Sequence, residues 1–313
     1  MKIAVFTKNL SNPAYAAARM GAERAAAMFG AEVRHYVPTI PDDPTQQSAL
    51  VHQALADGAD AFVFTPVHPT RVDDAVASIR RSGVPIFGFV NRMPEGQCVS
   101  YAGSSDARLA EDIAAHLFGY LSGRGDVVIV TGPTDSVTSI ERVAAFEATA
   151  RRHAGVRIVA RCVGAYLREP AREAFAAVLR EHPHIDAVLA ANDIMAIGVL
   201  DALDAAGRRA VVVGVNAIPQ AVQAVGAGRM LATADFNAMQ MCFLATECAI
   251  RHGRGEAVPH EIELPVAIVH GGNWRQWDRP YEQRELTTLK DLQRESPASK
   301  DLPSHAAAQK GLL

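Results

Sequence analysis

Cysteine is scarce. Only Cys98, Cys162, Cys242 and Cys248 occur among 313 residues, and no two form a CxxC pair. That is too few for a disulfide-built scaffold and the wrong spacing for a zinc or dithiol motif. Cys242 and Cys248 sit on one expected helix but about 120° apart around its axis, so buried apolar packing is the better reading for both. Charge of one sign is also missing: 31 Lys and Arg stand against 34 Asp and Glu, a net of -3. Such a balance leaves no electrostatic footprint for nucleic acid or an anionic membrane. No apolar run reaches about 18 residues, so no membrane-spanning helix is expected. Sequence signatures of catalysis are missing too: there is no GxxxxGK[ST], GxGxxG, GxSxG or HExxH. Gly123-Arg-Gly-Asp126 precedes a strand, so its glycines cannot form a nucleotide loop between strand and helix. The eleven histidines are scattered; His182 and His184 flank a helix end, His260 lies in a polar loop, and neither is expected to hold a metal. Residues 2–7 read as a buried strand, not as the basic start, apolar stretch and small-residue cleavage site of a secretory leader. The expectation is either a cytoplasmic protein or a chain whose leader is missing.

What is present is a packed α/β pattern. Hydrophobic residues make up 49%, and the length suits two domains of about 150 residues. Near-continuous apolar runs, as strands buried on both faces should be, fall at 2–7, 32–37, 61–65, 85–90, 98–102, 126–131, 158–163, 187–190, 210–215, 231–234 and 265–269. Helical periodicity lies between them. Ala17, Met20, Gly21, Ala25 and Met28 share a face that ends at Gly30, and Leu109, Ile113, Leu117 and Leu121 repeat at helical spacing. Asp193 is placed to cap a helix carrying Ile197, Leu200 and Leu203. Strand–helix alternation predicts parallel sheets with right-handed crossovers. The rhythm breaks once, between 85–90 and 98–102, where no crossover helix fits. Two doubly wound parallel-sheet lobes joined by a multi-strand hinge are therefore expected. The first comprises 1–104 with 236–268, the second 105–235 with 269–282. Residues 283–313 read as an extension with a loose end, and Trp274, Trp277 and Tyr281 as anchors of the segment before it.

Ligands of open α/β sheets bind beyond the carboxyl ends of the strands. Those positions are rich in amides: Asn9 and Asn12, Thr65 and His68, Asn91 and Arg92, Thr131, Asn192, Asn216, then Asp235, Phe236 and Asn237. Asn is common in loop caps, but its recurrence at Asn91, Asn192 and Asn216 points to a shared role.

Five segments in order resemble the ribose-binding-protein-like periplasmic substrate-binding proteins (type I), whose lobes also form LacI-type effector domains. They are Lys8-Asn-Leu-Ser-Asn-Pro-Ala-Tyr15, Val84-Pro-Ile-Phe-Gly-Phe-Val-Asn-Arg92, Glu141-Arg142 with Phe146, Ala191-Asn-Asp-Ile-Met-Ala-Ile-Gly198 and Val212-Val-Gly-Val-Asn216. Gly103-Ser-Ser-Asp106 is similar to that family's hinge. The resemblance covers about residues 1–270 and implies a receptor without catalysis or cofactor, closing two lobes over a sugar, polyol or sugar acid. It implies ligand contacts at Asn12, Tyr15, Asn91, Arg92, Arg142, Tyr166, Asn192, Asn216 and Phe236, with Asp235 as a further acceptor. It also implies a periplasmic monomer that docks to a membrane ABC permease, with no nucleic acid and no membrane insertion. Amides both donate and accept, as hydroxyls require; aromatic rings suit the C–H faces of a sugar, and Arg offers planar donors. Packing at a helix start is the competing role for Tyr15, and a solvated helix arginine that for Arg142.

The chain departs from the pattern in ways that bear on the ligand. The family commonly has Asp where Asn91 and Asn216 stand, often an amide where Phe236 stands, and an aromatic where Ala14 stands. The expectation is a ligand other than ribose, either a neutral polyol or one whose carboxylate pairs with an arginine, with Asp235 favouring the neutral option. Two competing functions are a cytoplasmic or sensory effector-binding module without a DNA-binding domain, and an α/β enzyme using the interlobe cleft.

Overall fold

A computed structural model of the chain describes residues 1–295. Eleven elements come first: β1 (Lys2–Phe6), α1 (Pro13–Phe29), β2 (Glu32–Tyr36), α2 (Pro44–Ala56), β3 (Ala61–Phe64), α3 (Asp73–Ser82), β4 (Ile86–Phe89), β5 (Ser100–Gly103), α4 (Asp106–Tyr120), β6 (Arg124–Thr131) and α5 (Val137–Arg151). Then follow β7 (Gly155–Val163), α6 (Arg168–Glu181), β8 (Ala187–Ala190), α7 (Asp193–Ala205), β9 (Val211–Val215), α8 (Pro219–Gly226), β10 (Ala232–Asp235), α9 (Ala238–Gly253), β11 (Glu261–Glu263), β12 (Ala267–His270) and α10 (Leu289–Glu295).

The strands form two sheets. One has the order β11-β5-β4-β3-β1-β2, the other β12-β10-β9-β8-β6-β7. Every pairing is parallel except β10 with β12. Both are doubly wound, and each marks one lobe. The chain passes between the sheets after β5, after β10 and between β11 and β12. The helix-free break is explained by residues 90–99, which carry β4 to β5 as an irregular parallel crossover. β11 shows no sequence signature because it contributes a single buried apolar residue, Ile262.

In the first lobe, Phe6 stacks between Tyr36 and Phe62 with ring centroids at 5.1 and 5.5 Å. The opposite face is covered by α1 and α9, whose backbones nearly touch. A Cβ on Gly21 would lie 2.1 Å from the Met239 carbonyl oxygen. Cys242 and Cys248, both buried, belong to this same packing.

Structure continues past β12. Residues after β12 run along α8, where the Trp274 ring covers Gly226, and then return to the first lobe. Arg24 donates to the Arg284 carbonyl at 2.6 Å, Gln240 exchanges two hydrogen bonds with Thr287, and the Leu289 N–H donates to Glu247 at 2.9 Å. This is a fourth pass between lobes, followed by a helix that the sequence reading did not place. The tail expected to be loose, residues 296–313, lies outside the described residues.

Candidate functional site

Strand ends from both sheets face one another across a narrow cavity with about 380 Å³ of empty space, part of it open to solvent. Lys8, Asn9, Asn12, Ala14, Tyr15, Asp42 and Val90 line it from the first lobe. Thr138, Arg142, Tyr166, Asn192 and Asn216 line it from the second, with Phe236 at the crossing.

Helix starts place the two principal amides. Asn12 caps α1, its side-chain oxygen accepting from the Ala14 N–H at 3.0 Å. Asn192 caps α7, accepting from the Met195 N–H at 2.9 Å. In each the cap uses Oδ1 and leaves the NH2 group without a protein acceptor among the described residues, so both amides offer donors to a guest.

Both buried cations carry a carboxylate partner. Arg142 donates from Nε to Asp106 and from Nη1 to the Ala191 carbonyl, each at 2.6 Å, and its guanidinium lies 5.1 Å from the centre of the Phe236 ring. Lys8 Nζ is 3.3 Å from Asp42, which also accepts from Asn9 Nδ2 at 2.8 Å. Burial alone would lower the affinity of both cations for their protons. The adjacent carboxylates outweigh it and hold both above their ordinary ranges. Burial pushes the Tyr15 phenol up, so it stays a neutral donor and acceptor. The Tyr166 hydroxyl shares a 3.0 Å hydrogen bond with Thr138, and its ring occupies the space a Cβ on Gly132 would need.

Asn91, Arg92 and Asp235 do not line this cavity. Arg92 is exposed, paired with Glu261 and stacked 4.4 Å over Tyr101. The neighbouring strand β11 supplies a carboxylate that competes for its guanidinium. Asn91 is buried just behind the wall, donating to the Pro66 carbonyl at 2.7 Å and leaving Oδ1 unpartnered. Asp235 accepts from Trp277 Nε1 at 2.8 Å and from the Asn237 N–H at 2.9 Å, facing a different space. Lys8, Asp42 and Thr138 were not anticipated from sequence as lining residues.

The backbone carries a second signal. Asp42, Val90, Tyr166 and Asn216 line the cavity at φ of 57°, 63°, 60° and 122°. Such conformations are rare for non-glycine residues, a genuine outlier for β-branched Val, and they concentrate where function holds them. Val90 is held by the Tyr101 hydroxyl, which donates to its carbonyl at 2.6 Å.

Comparison with known proteins agrees with this architecture. The periplasmic binding protein domain family matches residues 3–257. A D-ribose/D-allose-binding protein of Pseudomonas aeruginosa is 29% identical over 239 residues, covering 72% of this chain and 75% of its own. The ribose import binding protein RbsB of Bacillus subtilis is 24% identical over 266 residues, covering 85% and 86%. Among solved structures, an ABC transporter solute-binding protein from Actinobacillus succinogenes with bound D-allose superposes at a TM-score of 0.83. It is 24% identical and covers 88% of this chain and 99% of that one. This chain belongs to the periplasmic binding protein family and is similar to its ribose-binding-protein-like members.

Proposed function

We propose that this protein is the receptor of an ABC importer, capturing a neutral sugar or polyol other than ribose in the periplasm and presenting it to a membrane permease as a closed monomer. It performs no chemistry on the ligand. The observation that carries the reading is the cavity's make-up: amide donors, two phenols and ion-paired cations from both lobes around one shared space. A ligand bridging the lobes favours the closed form by its contacts on both sides. Asn12, Tyr15, Lys8 and Asp42 grip it from one lobe; Arg142, Tyr166, Asn192 and Asn216 grip it from the other, and Phe236 packs against its C–H face. The unpartnered Asn91 Oδ1 becomes an acceptor for a ligand hydroxyl once side chains at the wall adjust.

Neutrality follows from the pairing. Asp235, the acceptor first expected to balance the site, faces elsewhere, yet Lys8 has Asp42 and Arg142 has Asp106. A ligand carboxylate would have to compete with carboxylates already in place. The sugar-binding names of the relatives support the class of ligand.

A thermal-shift screen of D-ribose, D-allose, xylitol, myo-inositol, D-gluconate and D-glucuronate tests the reading. A ligand at about 100 times its Kd stabilises by ~2.7 kcal/mol, a shift of several degrees for lobes this size. The largest shift is expected from a neutral compound that is not ribose. If ribose leads, the inference from Asn91 and Asn216 fails; if a sugar acid leads, neutrality fails. Should no carbohydrate, including larger ones, move the midpoint, sugar binding itself is wrong.

A further inference from the structure

A second space adjoins the interlobe cavity. Ala14 and Asn216 line it on one side and a second, larger chamber on the other. That chamber has about 880 Å³ of empty space, reaching out to solvent. The Asp235–Met239 crossing and the returning segment enclose it, with Trp277, Tyr281 and Arg284 half-buried in its wall and Gln276 exposed at its edge. At the shared wall stand Ala14, with a single methyl group, and Asn216.

The chamber's chemistry suits a hydroxylated guest. The Asn237 oxygen caps α9 by accepting from the Gln240 N–H at 3.3 Å, which leaves its NH2 group without a protein acceptor among the described residues. The Tyr281 hydroxyl has no protein partner among the described residues. Asp235 receives two hydrogen bonds and retains acceptor capacity. Charges balance: Asp235 and Glu285 against Arg279 and Arg284. Arg284 is already committed, donating to the Trp277 carbonyl at 2.9 Å and stacking 4.4 Å over Tyr281. A neutral unit that exchanges hydrogen bonds and rests its C–H groups on aromatic rings fits this wall better than an ion does. It also fits better than a planar base, because Arg284 covers one face of Tyr281.

We propose that the ligand has two parts: a monosaccharide or cyclitol unit in the interlobe cavity, and a second hydroxylated unit that passes Ala14 and Asn216 into this chamber, as in a disaccharide or a glycosylated polyol. The inference rests on the sugar-binding reading above and narrows it.

Calorimetry and thermal shift on the full chain test it, using one-unit probes (D-allose, xylitol, myo-inositol) beside two-unit probes (galactinol, maltitol, cellobiose) and adenosine. The strongest binding is expected from a two-unit probe, at least tenfold tighter than any one-unit probe. Tyr281→Ala should cost that probe about tenfold while leaving one-unit binding within twofold. Should Tyr281→Ala fail to fold, the exposed Gln276→Ala carries the same comparison with a loss of about threefold. A one-unit probe binding tightest, or a two-unit probe indifferent to both substitutions, overturns the two-part ligand and leaves sugar binding standing. Adenosine binding tightest overturns the hydroxylated second unit. No binding by any carbohydrate overturns the sugar reading on which the inference is built.

Discussion

Arg142 is fully buried, yet only part of its donor set is spent on protein: Nε on Asp106 and one Nη1 hydrogen on the Ala191 carbonyl. The rest faces the cavity that its side chain lines. Replacing it with Met keeps much of the volume but strands the Asp106 carboxylate. Breaking a buried pair from one side costs on the order of 3–5 kcal/mol. We expect Arg142→Met to lose at least a hundredfold in sugar affinity by calorimetry and to unfold at lower denaturant. Adding Asp106→Asn should restore much of the stability and none of the binding. Recovery of both would show that Arg142 serves only the fold. At this scale the position of Asn12 and Asn192 beyond apolar runs was legible, but the α7 cap expected at Asp193 falls one residue earlier at Asn192, because the Asp193 carboxylate is taken by Thr233 and the Ile218 N–H. Lys8–Asp42 and Arg92–Glu261 were not legible, because each pair depends on which strand ends lie side by side. Arg92 looked like a ligand donor until β11 placed Glu261 next to it.

Elements bring these residues to the cavity, and their packing leaves little slack. A methyl group on Gly21 cannot fit against the Met239 carbonyl without separating α1 from α9, and overpacking of this kind costs roughly 1–3 kcal/mol. Gly21→Ala should lower the unfolding midpoint by several degrees; an unchanged midpoint would mean that the helices have room to part. Asp193, at the start of α7, ties three elements: it accepts from Thr233 Oγ1 at 2.7 Å and from the Ile218 N–H at 3.0 Å. Burial pushes its carboxyl up to about 7, against these hydrogen bonds. Between about pH 4 and pH 7 the native state therefore holds this proton more tightly than the unfolded chain does. The stability it supplies is complete below the unfolded pKa, falls as pH rises through that window and is gone above 7. The stability of the wild type relative to Asp193→Asn should drop by roughly 4 kcal/mol at most between pH 4 and 7, measured by denaturant titration. Equal slopes in the two proteins would contradict this. Most strands were legible because they are buried on both faces and read as unbroken apolar runs. The three-residue β11 and α10 were not, since one takes its place from pairing with β5 and the other from Glu247 and Gln240 on α9.

Across the whole molecule, a side-chain contact outside the cavity bridges the two lobes. His68 Nδ1 accepts from the Thr70 and Arg71 N–H groups, both at 3.1 Å, so the tautomer carries its proton on Nε2. That nitrogen lies 3.6 Å from Asp135 on the opposite lobe. Asp135 is largely exposed, and a surface pair of this kind is worth at most about 1 kcal/mol. His68→Ala should weaken sugar binding by up to about fivefold, mainly through faster dissociation. An unchanged dissociation rate in stopped-flow measurements would mean that the contact does not hold the lobes together. The two-lobe plan was readable from the strand rhythm, but this contact was not, because Asp135 belongs to a loop whose position only the relative setting of the lobes defines. The returning segment has one more result. Met1 rests against Gly253 at the end of α9, and Leu289–Glu295 is fastened to the middle of that same helix. Dyes attached at residues 1 and 295 would ride together and stay silent while the jaws move, whereas a partner dye at exposed Tyr120 would turn the motion into a signal.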